Sequence, residues 1–164
     1  MKKIIMAVSF LLALTHCVSM KAIEGKYPKN DTFQTEKSKE IIWTKIIQFF
    51  AQSGIEPTLL DKPSWFITAK SSISAFSMEC EKDGKVSEKA YFVTSCLDDG
   101  FKLYPPNAGS YKFNIRLTTE KNITSVNINT FGEAIYDYPA YKGTKFDVLT
   151  TSKLEKELFE YLNK

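Results

Sequence analysis

The clearest pattern along the chain is the alternation between positions 111 and 119. Tyr111, Phe113, Ile115 and Leu117 fall on one face, and Lys112, Asn114, Arg116 and Thr118 fall on the other. A period of two with one wet face predicts an antiparallel strand. Glu120-Lys121-Asn122 turns this strand into a second over 123–131, where Val126 and Ile128 point inward and Asn127 and Asn129 outward. Residues 132–138 extend or bend that strand, and 144–149 add a short one. Upstream, residues 65–70, 73–80 and 88–96 read as strands, with Asp83-Gly84 as a hairpin signal between the last two. Residues 97–110, with Asp99-Gly100, Pro105-Pro106 and Gly109, read as a loop, and Pro57 and Pro63 bracket a turn-rich link.

The period changes to helical at both ends of this block. Ile42, Ile46, Phe49 and Phe50 form a stripe widened by Ile41, Trp43 and Ile47, which predicts a helix opened at Thr35-Glu36 and stopped at Gly54. A face this wide is expected to clamp against a sheet. Leu154, Leu158, Tyr161 and Leu162 recur at i, i+4, i+7 and i+8, which predicts a final helix capped by Thr151-Ser152. The expected fold class is α+β: an antiparallel sheet of four to five strands flanked by an N-terminal and a C-terminal helix, within one domain over residues 35–164.

The first 34 residues read differently. Lys2 and Lys3 precede an apolar run from Ile4 to Leu14. A transmembrane helix needs about twenty apolar residues, so this shorter run fits the core of a signal peptide. The string Leu14-Thr15-His16-Cys17 follows and resembles a bacterial lipobox, the site of lipidation and cleavage, although His16 stands where that pattern has a small residue. Cys17 is therefore the expected lipidation site at the end of a 1–17 leader; ordinary cleavage after Ser19 or Ala22 is the alternative. In lipoproteins of this class, Val18 rather than Asp after the cysteine implies the outer membrane. Residues 18–34, polar and without sustained periodicity, read as a tether between lipid and domain.

Charge and composition narrow the function classes. The formal charge is +3, but removing Lys2 and Lys3 from the 22 Lys and Arg leaves 20 against 19 acidic residues, so the mature domain is near neutral. Arg116 is the only arginine, and Arg dominates bidentate contacts to phosphate and guanine; nucleic acid is not an expected partner. The single histidine, His16, lies in the leader, so the mature chain has no imidazole for nucleophile pairs, metal sites or general-base work. The protein is accordingly expected not to be an enzyme and to use no cofactor or metal.

If Cys17 is acylated, Cys80 and Cys96 remain as a candidate disulfide in an oxidising compartment; two free thiols on separate strands are the alternative. Glu79 and Glu81 beside Cys80, and Asp98-Asp99 after Cys96, could hold a cation, but on strand ends such clusters are more often solvated charge. Tyr104, Tyr136, Tyr138 and Tyr141 offer rigid aromatic area for a partner, weighed against rings that simply pack over a sheet edge.

The string from Ile42 to Phe50 opening the domain, the strand at Trp65–Ala69 and the closing Lys153-Leu154-Glu155-Lys156-Glu157-Leu158 together resemble a group of Gram-negative lipoproteins. Over most of residues 36–163 the order of elements looks like the helix-grip domains of BamC, the lipoprotein of the outer-membrane β-barrel assembly machinery. This resemblance implies a helix-grip-like fold and an envelope address, not assembly activity. The expected function is an exported, lipid-anchored, periplasm-facing binding or assembly-accessory module at the outer membrane, with the membrane and an envelope protein as partners. A secreted or soluble periplasmic form, or a carrier holding a small hydrophobic ligand between helix and sheet, is the alternative.

Overall fold

The computed structural model describes residues 18–28, 30–74 and 77–164, so the leader and Cys17 lie outside the described residues. Eleven strands, two α-helices and a short 3-10 turn at Pro139–Tyr141 are found among the described residues. Strands β1 (Ser19–Lys21) and β2 (Asn30–Thr35) come first, then helix α1 (Lys39–Ser53). Seven strands follow: β3 (Glu56–Asp61), β4 (Phe66–Ser74), β5 (Met78–Glu79), β6 (Phe92–Thr94), β7 (Cys96–Asp98), β8 (Leu103–Tyr104) and β9 (Ala108–Glu120). The chain closes with β10 (Ile123–Ile135), β11 (Lys145–Thr150) and helix α2 (Lys153–Asn163).

The long β9–β10 hairpin is the spine. Lys121 (φ 48°) and Asn122 (φ 66°) both adopt left-handed backbone, as a two-residue hairpin turn matched to strand twist requires. The main sheet runs β3-β4-β9-β10-β11-β6-β5, antiparallel except for the short β5–β6 pair. The far edge of β10 is shared: β2 pairs with Thr124–Asn129 and β11 with Gly132–Ile135. A second sheet, β1-β7-β8, branches off where the chain passes Ser95 between β6 and β7.

Alternation along the spine sorts the two faces. Phe113, Ile115, Leu117, Val126 and Ile128 are buried in one core with Ile42, Ile46 and Phe50 of α1 and Leu154, Leu158 and Leu162 of α2. The Phe50 ring stacks on Phe113 at 5.9 Å. The opposite face carries a polar ladder, with Thr32 donating to Asn127 (3.0 Å) and Thr68 to Asn114 (3.2 Å). The helices also meet each other: Phe49 packs on Tyr161, and Lys37 Nζ donates to the Leu162 carbonyl at 2.7 Å, where a cation suits a helix C-terminus.

The expected α+β arrangement of four to five strands flanked by two helices is overturned. The chain is mostly β, with an eight-stranded and a three-stranded sheet. The additional strands escape sequence patterning for physical reasons. β3 is an edge strand whose Pro57 sits at a register irregularity and whose Leu59 and Leu60 stay half exposed, so it shows no alternation. β1, β5, β7 and β8 are two or three residues long, too short for any period to register. Helix α1 starts at Lys39, later than Thr35-Glu36, because residues 30–35 are already committed to β2; Ser38 caps it, accepting from the Ile41 N–H. Its stop is at Gly54, in the left-handed conformation (φ 65°).

The tether reading of residues 18–34 also needs correction. Three of these residues pair with β7 and another stretch pairs with β10. Between the two strands, the Glu81 carboxylate accepts the N–H groups of Glu24 (2.6 Å) and Gly25 (2.9 Å). The segment is built into the domain.

Candidate functional site

Of the site residues read from the sequence, Cys80, Cys96, Tyr104, Tyr136 and Tyr138 gather around the small sheet. Cys80, just past β5, and Cys96, opening β7, form a disulfide with Cα atoms 5.7 Å apart. It fastens the end of the main sheet to the start of the small one. β1 then pairs with β7 in the register Ser19↔Asp98 and Lys21↔Cys96, and β7 pairs with β8 through Asp98↔Leu103.

The turn joining β7 to β8 is tied internally. Asp99 Oδ1 accepts the N–H groups of Phe101 (2.9 Å) and Lys102 (2.8 Å), and its Oδ2 accepts the Tyr104 hydroxyl (2.8 Å). Asp98 accepts the Gly100 N–H at 2.8 Å, and Gly100 takes left-handed backbone (φ 83°). These donors, led by the Phe101 N–H, hold the Asp99 carboxyl below the usual range, while the same carboxylate pushes the Tyr104 hydroxyl up. The two aspartates are thus turn staples. Phe101, at the tip, is 85 % exposed.

Tyr104, Tyr136 and Tyr138 line one cleft of about 370 Å³, together with Val18, Leu97 and Asn107. Their environments differ. Tyr136 is only 2 % exposed; its hydroxyl sits 2.8 Å from the Ser95 carbonyl and 3.0 Å from that of Tyr104, and burial pushes it up to about 12. It welds the β10–β11 connection to the small sheet and presents little to a partner. Tyr104 and Tyr138, at 41 % and 43 % exposed, form the accessible rim. Tyr141 does not line the cleft; its ring lies 6.4 Å from Phe146.

A second cleft of about 540 Å³ lies on the disulfide side, lined by Lys21, Glu79, Cys80, Lys82, Asp98 and Phe101. The acidic pair around Cys80 is occupied structurally. Glu79 accepts the Ser87 N–H (3.0 Å) and hydroxyl (2.6 Å), and Glu81 holds the Glu24–Gly25 backbone. Burial opposes ionisation of Glu81, but the Glu24 N–H, the Tyr27 hydroxyl and the Gly25 N–H outweigh it and keep the carboxyl below its ordinary value. Tyr27 in turn is raised to about 12, by burial first and then by its bond to Glu81. Among the described residues, no three potential metal ligands converge.

Chemically, the arrangement offers a rim of aromatic rings and mixed charge around shallow clefts. Among the described residues, Asp99, Glu79 and Glu81 are engaged with backbone N–H groups and neighbouring hydroxyls, and Asp137 pairs with Lys142 at 3.5 Å. Phe101 was not singled out by sequence reasoning, Val18 was read only as a sorting residue, and Glu81 was read as a candidate cation ligand rather than as a clamp on the Glu24–Gly25 backbone. The only available signal was an aromatic residue directly after an Asp-Gly turn. No protein-family model matches the chain, and no curated protein is significantly similar to it.

Proposed function

We propose that the protein is an exported, lipid-anchored binding module of the cell envelope, facing the periplasm from the outer membrane and without catalytic activity. The observation that carries this reading is the position of β1. It begins at Ser19, two residues after Cys17, and it is paired along its length with β7. Cleavage before Cys17 keeps the strand whole. Cleavage after Ser19 would remove its first residue, and cleavage after Ala22 would delete it, exposing the backbone of β7. The lipobox-like string and an intact fold therefore favour the same processing site. The rim of Tyr104 and Tyr138 supplies the binding surface.

The test is the intact mass of the mature protein purified from the membrane fraction. A chain starting at Cys17 and carrying acyl groups is the expected result. An unmodified chain starting at Met20 or Ile23 would overturn the proposal.

A further inference from the structure

The small sheet fixes more than the cleavage site. Two residues of extended chain span roughly 7 Å, so an acyl group on Cys17 lies close to the first residue of β1. The register Ser19↔Asp98 and Asp98↔Leu103 places the start of β1, the end of β7 and the start of β8 side by side. The turn carrying Phe101 consequently leaves the domain from the same end as the anchor. Val18 lines the cleft whose rim is Tyr104 and Tyr138.

Resting on the lipid-anchor reading, we propose that this end is a membrane-docking face: Phe101 inserts into the bilayer interface, with Tyr104 and Tyr138 at headgroup level. The occupant is a lipid surface because the anchor allows little else. A protein seated on the turn would have to fit between it and the bilayer holding the Cys17 acyl chains, with no spacer to make room. The residue chemistry agrees. Aromatic rings favour the membrane–water interface, and the Lys102 ammonium lies 5.3 Å from the Tyr104 ring centroid, pairing a cation with an aromatic as headgroup contacts do. Asp98 and Asp99 are tied back to the turn's own N–H groups and the Tyr104 hydroxyl, which fixes the shape of the turn. The turn is ordered before it meets lipid, so docking costs little conformational entropy.

The test uses the mature acylated protein reconstituted into vesicles of phosphatidylethanolamine and phosphatidylglycerol containing lipids brominated near the headgroup. Phe101→Trp places a fluorophore at the tip. Glu120→Trp is the control, at the opposite end of β9, a strand roughly 40 Å long, from the cleft. Trp43 and Trp65 give a background measured on the unsubstituted protein. Docking predicts a blue-shifted emission for Phe101→Trp and several-fold stronger quenching than for Glu120→Trp. Equal, weak quenching in a sample whose mass confirms acylated Cys17 would overturn the docking face and leave the anchor standing. A mature protein without acyl chains would instead remove the anchor reading, and this one with it.

Discussion

Replacing Cys80 with Ser and Cys96 with Ala removes the cross-link between the two sheets, and its cost can be worked from the chain. The bridged residues are 16 apart in sequence. Chain-entropy reasoning assigns the closure of such a loop about 3 kcal/mol at 25 °C, through the freedom denied to the unfolded ensemble. For a domain of this size that loss should lower the midpoint of thermal unfolding by roughly 10 °C. The assay is circular dichroism on three samples: oxidised wild type, reduced wild type and the double variant. Urea titration of the same samples should show a steeper slope without the bridge, because the unlinked denatured chain exposes more surface. If loop closure is the cause, reduced wild type and the variant shift together. A variant that melts within a degree or two of oxidised wild type would refute the reasoning. A shift in the variant alone would instead trace the loss to packing of the buried Cys96 side chain.

Glu155 is 1 % exposed and accepts the Thr150 hydroxyl at 2.8 Å; burial pushes its carboxyl upward, and the charge of Asp31 adds to the effect. With the folded value raised, the unfolded state ionises first, so stability falls as pH climbs from the ordinary 4.5 through the folded value. Glu155→Gln should therefore stabilise the protein at neutral pH and flatten that slope, as urea midpoints across a pH series would show. Glu81 has the opposite sign: its contribution is present above the ordinary 4.5 and is lost as pH falls through its depressed folded value. Glu81→Gln should remove that acid-side loss, by the same titration. At Gly25, an added Cβ would stand 2.5 Å from Glu81 Oε1 and 2.8 Å from the Gly84 carbonyl. Gly25→Ala should loosen the path from β1 to β2, read as faster hydrogen exchange at Met20 and Lys21. Phe50→Ala empties a fully buried site against Phe113 and should cost about 3–5 kcal/mol in chemical denaturation.

The legible parts of this fold were those with a sustained period. The β9–β10 spine announced itself through alternation over many residues, its turn through Lys121-Asn122, and α1 through its stripe and Gly54. Width misled, however: Ile41 belongs to the apolar run of α1 yet lies half exposed, so the clamped face is narrower than the composition suggested. Strands whose pairing partners are remote, such as β2 on β10, are set by tertiary contact and leave no local trace. The same holds at the site. Tyr104 and Tyr138 stood out as aromatics in turn-rich sequence, but nothing local distinguished them from Tyr136, whose hydroxyl is satisfied by carbonyls from two other parts of the chain.

The shared edge of β10 has a consequence for the order of assembly. Asn30–Thr35 must wait for Thr124–Asn129, a separation of nearly a hundred residues, and β11 completes the same edge later still. Contacts of such range close slowly because the loop between them must be ordered first. A ribosome that has released only the first two thirds of this polypeptide has made no strand on which β2 can settle. The sheet therefore stays open until synthesis is nearly finished. For a chain proposed to thread a translocation channel before it folds, this built-in delay keeps the polypeptide pliable while it crosses.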